Sequence, residues 1–86
     1  MASEKLWYVY LLRCRDGTYY TGVTTDVERR IKQHNNGTGA KYTRGRLPVM
    51  LVWSERQTSH SSALKREAIV KRLRRPEKII LVGPGV

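Results

Sequence analysis

The sequence contains no phenylalanine and only one cysteine, Cys14, among its 86 residues. A single thiol has no disulfide partner within the chain, and this scarcity is typical of a reducing compartment. We interpret Cys14 as a small packing residue. The apolar runs are short, far below the ~20 residues needed to cross a bilayer, so no membrane partner is expected. The polar start of the chain lacks the apolar stretch of a secretory signal, which predicts a cytoplasmic protein.

Acidic side chains are also scarce, since seven Asp and Glu stand against 17 Lys and Arg and give a net charge of +10. Such an excess in one small domain predicts affinity for polyanions, with nucleic acid as the first candidate. An anionic membrane is disfavoured because the basic segments lack a clean apolar lipid face. Charge alone specifies no chemistry, and a ribosome-associated basic protein would share it.

Hydrophobic and turn patterns predict one domain over residues 6–82, between tails at 1–5 and 83–86. The predicted order of its elements is β-β-α-β-α, followed by a short element. The expected strands are Leu6–Arg13, buried on both faces, Thr18–Thr24 and Pro48–Glu55; the expected helices are Asp26–Asn35 and Ser62–Arg74. Residues 37–47 read as a basic loop, 57–62 as a polar linker, and 77–82 as either helix or strand.

Three local signals refine this reading. Asp16-Gly17 indicates a hairpin turn between the first two strands. Gly22 within the second strand indicates a bulge or a close approach to the backbone. Thr25 and Glu28 have the spacing of a capping box, with Thr25 as the N-cap of the first helix.

The first helix carries an unusual mixture on one face. Val27, Arg30, Ile31 and His34 follow the i, i+3, i+4, i+7 spacing, so the apolar pair should draw Arg30 and His34 toward the sheet. A buried-side arginine is costly unless it meets an anion or a partner. Arg30 therefore either binds an anion, or reaches the surface or an acidic side chain instead.

The second helix places one carboxylate near its packed face. Glu67 could hold a divalent metal through oxygen, or pair with Lys71 four residues later, and spacing alone favours the ion pair. Tyrosines are concentrated on the hairpin, where they could fill the core or accept a proton beside a cation. They are Tyr8, Tyr10, Tyr19 and Tyr20, with Tyr42 in the basic loop.

Together these segments resemble the GIY-YIG endonuclease superfamily, in particular a small stand-alone bacterial branch. Tyr8–Tyr10 and Tyr20–Gly22 are similar to the two signature tripeptides, with Tyr8 in place of glycine and Thr21 in place of isoleucine. Residues 26–35 and 63–71 are similar to its arginine-bearing and glutamate-bearing helices, and 39–48 to a segment of the small branch. The resemblance covers residues 6–82 and implies a three-stranded antiparallel sheet flanked by helices, ending in a short helix.

The resemblance also implies roles. Tyr10 and Tyr20 are the signature tyrosines, one of which helps deprotonate water, and Gly22 keeps the cleft open. Arg30 contacts the scissile phosphate, and His34 supports the phosphate or the water. Glu67 ligates one Mg²⁺ or Mn²⁺ ion. The implied activity is metal-dependent endonucleolytic cleavage of DNA, in repair, recombination or processing of branched or single-stranded DNA.

Hairpin register tests whether the two tyrosines share a site. A strict two-residue loop pairs Tyr20 with Arg13 and Tyr10 with Val23, which puts the phenols on opposite faces. A shared site therefore predicts an odd-length loop or a bulge.

The basic loop and the second helix contain candidate residues for contacts with the sugar–phosphate backbone of a nucleic acid. The mix of cations with one aromatic suits phosphate binding beside a stacking platform. The candidates are Lys41, Tyr42, Arg44, Arg46 and Lys71. Two alternatives stay open: a non-catalytic DNA- or RNA-binding module that keeps the fold, and a basic RNA-associated protein of other ancestry. A protein partner for activity or targeting is also compatible with the sequence.

Overall fold

A computed structural model describes residues 6–83; the expected tail at 1–5 lies outside these residues, as does the expected tail at 83–86 except for Gly83. The strands and helices follow one another in the order β1, β2, α1, α2, β3, α3, α4. Their bounds are β1 Trp7–Arg13, β2 Tyr19–Thr24, α1 Val27–Asn35, α2 Lys41–Arg44, β3 Met50–Gln57, α3 His60–Arg72 and α4 Arg75–Val82. This is the expected order with one additional helical turn, α2.

The sheet has β1 in its centre, antiparallel to β2 on one side and to β3 on the other. Residues 9–12 of β1 are all buried, as the nearly unbroken apolar run predicted. Val9 and Leu11 point to one face, where they form a core with Ala63 and Val70 of α3. The alternate residues, including Tyr10, Leu12 and Cys14, point to the opposite face of the sheet and pack on the α1 side. Cys14 is therefore the packing residue expected.

The hairpin between β1 and β2 has an odd-length loop. Cys14 N donates to Thr18 O (2.8 Å) and Gly17 N to Cys14 O (2.9 Å), so three residues, 15–17, form the turn. Gly17 has φ 85°, a left-handed conformation that glycine adopts without strain. Tyr10 consequently pairs with Gly22, and Leu12 pairs with Tyr20. Both phenols therefore lie on the same face, which the two-residue alternative would have prevented.

Gly22 does not mark a bulge in β2, because the β1–β2 register is unbroken along the strand. The irregularity lies on the other side of β1, between Leu11 and Leu12 where they pair with β3. The close-approach interpretation is the correct one. A Cβ on Gly22 would collide with the ring of Tyr10, which crosses β2 at this point.

The predicted N-cap of α1 is wrong by one residue. Asp26, in extended conformation, accepts from Arg29 N (3.1 Å), and Val27 is the first helical residue. Thr24 takes part by accepting from Asp26 N (3.1 Å), which leaves no capping bond to Thr25. A carboxylate at the N-cap is also favoured by the partial positive charge of the helix start.

The remaining boundaries differ because tertiary contacts set them. Residues 37–47 are not wholly loop but contain the single turn α2. The side-chain amide of Asn35 binds both the N–H and the carbonyl of Val49, at 2.7 and 3.2 Å, so β3 starts after Val49 instead of at Pro48. β3 continues to Gln57, which reduces the expected linker to Thr58 and Ser59. Residues 77–82 are helical, since α4 starts beside Pro76, a residue suited to a first turn.

Candidate active site at the free edge of β2

The first element of the site is a buried chain of side-chain hydrogen bonds from β1 to α2. Tyr10 Oη lies 3.0 Å from His34 Nε2, and His34 Nδ1 lies 2.9 Å from Thr43 Oγ1. Thr43 Oγ1 in turn donates to Ala40 O at 2.9 Å. Tyr10 is 1% exposed, and His34 and Thr43 are 0% exposed, so water does not compete for these bonds. We call Tyr10, His34 and Thr43 the buried hydrogen-bond chain.

Burial sets the protonation states within this chain. Desolvation, reinforced by the positive charge of Arg30, lowers the pKa of His34 from 6.5 to about 4. The imidazole is therefore neutral at physiological pH. Desolvation also raises the pKa of Tyr10 above its ordinary value of 10.0. The nearby Arg30 guanidinium lowers that pKa, whereas Tyr20 and Glu67 raise it further, so Tyr10 is a neutral phenol at rest.

Arg30 is half-buried on α1 and is available for an anion. Its Nη1 donates to Gln33 Oε1 at 3.0 Å, which orients the guanidinium. Within residues 6–83, no carboxylate lies within ion-pair distance of Arg30. Of the alternatives left open by the sequence, pairing with an acidic side chain is therefore not the one observed. A polar recess beside it is lined by Thr24, Thr25, Asp26, Arg29, Arg30 and Gln33.

Glu67 approaches from α3, on the other side of the sheet edge. Its side chain is 17% exposed, and Oε2 lies 3.4 Å from Lys71 Nζ, which is the ion pair that spacing favoured. Its negative charge is one of the causes that raise the pKa of Tyr10, the smallest after burial and Tyr20. No group of three His, Cys, Asp or Glu that could hold a metal occurs in the described part of the chain. If Glu67 held a metal ion, it would thus be that ion's single protein ligand among the described residues.

Such a ligand set suits one kind of ion. Mg²⁺ is commonly bound by one or two carboxylates and completes its coordination with water and substrate phosphate oxygens. A single, mostly buried carboxylate such as Glu67 fits that pattern. A structural zinc site, with its four His or Cys ligands, does not fit these residues.

Tyr20 is held by contacts with aromatic neighbours. Its ring lies 5.3 Å from that of His34 and stacks on Tyr42 at 5.9 Å, with 26° between the planes. The Arg46 guanidinium lies 4.1 Å from the Tyr42 ring centroid, and Arg46 Nε lies 3.1 Å from Asp16 Oδ2. Tyr20 and Tyr42 also line an open groove of about 280 Å³ with Tyr19, Thr21, Lys71 and Lys78.

These contacts change the interpretation of the predicted backbone-binding residues. Arg46 is engaged with Asp16 and Tyr42, and Lys71 is paired with Glu67, so neither is a free surface cation. Lys41 and Arg44 are exposed on α2, and Tyr42 is 40% exposed at the groove. Among residues 6–83, Lys41 and Arg44 are therefore the cations of the set without an ion pair, and Tyr42 is its aromatic member at the groove.

Two residues at the site were missed by sequence reasoning. Thr43 lies inside the segment assigned to the basic loop, and only its contact with His34 reveals its position. Gly39 packs so closely on His34 that a Cβ would lie 2.5 Å from Nδ1. No periodicity links residue 34 with residues 39 and 43, because the chain turns between α1 and α2.

The chain matches the GIY-YIG catalytic domain family over residues 6–79. It is 54% identical over 71 residues to a UPF0213 protein of Streptococcus pneumoniae, covering 83% of this chain and 72% of that protein. A UPF0213 protein of Halobacterium salinarum is 56% identical over 71 residues, covering 83% and 92%. The relatives thus include archaeal as well as bacterial proteins.

Two solution NMR structures have the same fold. The UPF0213 protein BH0048 of Bacillus halodurans is 52% identical, with a TM-score of 0.58 over 92% of this chain and 88% of that one. The protein EF2693 of E. faecalis is 46% identical, with a TM-score of 0.59 over 91% and 83%. The chain belongs to the GIY-YIG family, whose members form a nuclease superfamily. Among the described residues, no helix has the length and apolar character needed to span a membrane.

Proposed function

We propose that this protein is a metal-dependent DNA endonuclease that hydrolyses phosphodiester bonds. The observation that carries the proposal is the buried hydrogen bond between Tyr10 Oη and His34 Nε2 (3.0 Å), with Arg30 one turn before His34 on α1 and without an acidic partner among residues 6–83. A cation, a carboxylate and proton-transfer groups are the parts that hydrolysis of a phosphodiester needs, and Arg30, Glu67, Tyr10 and His34 would supply them.

Arg30 binds a non-bridging oxygen of the scissile phosphate. Its guanidinium is oriented by Gln33 and has no acidic partner to release before it can act. A fixed cation in a partly buried site stabilises the negative charge on the non-bridging phosphate oxygens as the attack proceeds, without reorganising at that moment. The exposed cations of α2, Lys41 and Arg44, contact the flanking phosphates of the nucleic acid.

Tyr10 takes the proton of the attacking water, and because the residue is 1% exposed, only a water bound within the site can reach its hydroxyl. Because the phenol is neutral at rest, it accepts that proton only while releasing its own, and His34 Nε2 is 3.0 Å away. The water O–H, the phenol O–H and the phosphorus–oxygen bond to the leaving sugar break as the water oxygen bonds to phosphorus, and His34 Nε2 takes the phenol proton. Because the pKa of His34 is about 4, that proton returns through Tyr10 to the water of the cleft, from which the leaving sugar oxygen takes a proton.

Glu67 is the group that would hold a divalent cation, Mg²⁺ or Mn²⁺. When bound, such an ion acts as a Lewis acid on the phosphate and favours ionisation of water. Lys71 must release Glu67 before the carboxylate can serve as a ligand, and the phosphate backbone is an alternative partner for that ammonium group.

The test is cleavage of labelled single-stranded, duplex and branched DNA with Mg²⁺ or Mn²⁺. Arg30→Ala and Glu67→Gln should each reduce the cleavage rate by about 10²- to 10³-fold, the range for losing one preorganised charge. Lys32→Ala and Glu28→Gln are matched controls, since both side chains are exposed on α1. Their rates should stay near that of the wild type.

A non-catalytic nucleic-acid-binding module is the second candidate, and the Lys71–Glu67 ion pair favours it because it occupies the prospective metal ligand. DNA binding measured on the same substrates separates the two functions. Salt-sensitive binding by the wild type, with no metal-dependent cleavage of any of the three substrates and no effect of Glu67→Gln, would establish the binding module. Roles in repair, recombination or branched-DNA processing follow from whichever substrate is cleaved fastest.

A further inference from the structure

We propose that Thr43 is a positioning residue that fixes the tautomer of His34 and thereby the direction of the hydrogen bond from Tyr10. The proposal rests on the function proposed above for its catalytic consequence, but not for its structural content. Thr43 is 0% exposed and lies on the short helix α2, nine positions after His34.

The hydroxyl of Thr43 has one proton, and that proton is used. Oγ1 donates to Ala40 O at 2.9 Å, where the backbone N–H of Thr43 also donates at 3.1 Å. We therefore assign the hydroxyl as the acceptor towards His34 and Nδ1, at 2.9 Å, as the nitrogen that carries the proton. A neutral imidazole protonated at Nδ1 has an unprotonated Nε2.

The tautomer decides what Tyr10 can do. With Nε2 unprotonated, the phenol O–H donates to His34 across 3.0 Å, and the lone pairs of the phenol oxygen stay free for Arg30 or for water. In the other tautomer, Nε2–H would donate to the phenol oxygen. The phenol O–H would then point at the cleft. The Arg30 cation would repel this proton, and the phenol oxygen could not accept a proton from water.

The fold enforces this contact by close packing. Gly39 brings the start of the α2 segment against the imidazole, since any side chain there would overlap His34. The same segment carries Tyr42, whose ring stacks on Tyr20 at 5.9 Å. One turn of chain thus restrains both signature tyrosines, Tyr20 directly and Tyr10 through His34.

The experiment combines NMR of the histidine ring with kinetics. Nitrogen-15 shifts of His34 in the wild-type protein should show Nδ1 protonated and Nε2 unprotonated near neutral pH. Thr43→Val keeps the shape and removes the acceptor, so it should shift the equilibrium toward the Nε2-protonated form. Thr43→Ser should restore the wild-type pattern. Thr58→Val, an exposed threonine in the β3–α3 connection, is the control and should change nothing.

Cleavage should follow the tautomer. Thr43→Val should lower kcat about 10- to 100-fold, the range found for residues that orient a functional histidine, with little change in KM for DNA. Thr43→Ser should recover most of the rate. A wild-type His34 protonated at Nε2 would overturn the proposal even if Thr43→Val failed to fold. An unchanged ring pattern in a folded Thr43→Val protein would also overturn it.

The two proposals fail in different ways. If the wild-type and variant tautomers behave as expected but no DNA is cleaved, the positioning role of Thr43 stands and the nuclease function fails. If DNA is cleaved and Thr43→Val retains full kcat with an altered tautomer, the link from Thr43 to catalysis is wrong and the nuclease function stands.

Discussion

The two faces of the sheet bury neighbouring residues of β1 by different means. Towards α3, Val9 and Leu11 meet Ala63 and Val70 in an apolar core. Towards α1 and α2, Tyr10 meets His34 through a hydrogen bond, and glycine replaces a side chain where the Tyr10 ring crosses β2. The first face gains stability from area removed from water, which depends little on exact geometry or pH.

The second face depends on geometry and protonation state. The buried polar groups there bond to one another in a chain, so loss of a proton acceptor or a small displacement leaves a group without a bond. The difference indicates that the α3 face contributes most of the stability of the fold. The α1 face is more sensitive to pH and to small displacements, because it holds a phenol and an imidazole in one arrangement. Three measurements can break or sharpen this contrast.

Acid should weaken the α1 face most. The pKa of His34 is lowered from 6.5 to about 4 on folding, so the unfolded chain binds more protons between these values. Stability is therefore fully present above pH 6.5 and is lost as pH falls toward 4, by about 3 kcal/mol for this group. The measurement is urea unfolding of the wild type and of His34→Gln at pH 7 and pH 4.

Glutamine does not titrate and can keep hydrogen bonds to both neighbours, so it isolates the imidazole from the carboxylates that also respond to acid. The wild type should lose about 3 kcal/mol more than His34→Gln over the interval. Equal losses in the two proteins would mean that His34 protonates at an ordinary pKa, and that the two faces do not differ in this respect.

Added volume should also affect the α1 face selectively. Gly22→Ala and Gly39→Ala place a Cβ against the Tyr10 ring and against His34, so each should reduce the free energy of unfolding by about 1–3 kcal/mol. Gly45→Ala is the control, since its φ is −89° and no atom lies within 4 Å of the added Cβ. It should be neutral or stabilise by up to about 1 kcal/mol. Thermal unfolding that ranked all three alike would refute the close-packing argument.

The smallest effect is expected at the rim, where the two faces meet. The Lys71 side chain is 56% exposed, so Lys71→Met should change the free energy of unfolding by less than about 1 kcal/mol. The same change frees Glu67 and should tighten Mn²⁺ binding, measured by titration calorimetry without DNA. Weaker Mn²⁺ binding in the variant would argue against Glu67 as the ligand that Lys71 blocks.

Prediction from sequence worked where a local pattern decides the structure. Alternation and turn residues located the three strands, and the spacing of Val27, Arg30, Ile31 and His34 correctly placed the histidine toward the sheet. It was less accurate at boundaries such as the N-cap, where Asp26 rather than Thr25 caps α1. Two neighbouring residues with capping side chains compete there, and the bond from Asp26 N to Thr24 decides between them.

For the candidate site, the sequence supplied the residues but not their contacts. Resemblance singled out Tyr10, Tyr20, Arg30, His34 and Glu67, and their roles remain predictions. The resemblance implied that Gly22 keeps a cleft open. The structure shows a more specific effect, because the absence of a side chain at Gly22 leaves space for the Tyr10 ring. His34 was expected at the phosphate or the water, but it is fully buried, and its two ring nitrogens contact Tyr10 and Thr43.

The sequence by itself determined the charge, the order of the elements and the faces of α1, because these follow from composition and from the 3.6- and 2-residue periods of helices and strands. Only the tertiary structure decided the hairpin register that brings both phenols to one face, and the turn that brings Thr43 to His34. Both depend on the length and path of a connection, and a change of one residue in the hairpin loop would reverse the facing of β2. Information of that kind lies in contacts between distant residues, which no local pattern contains.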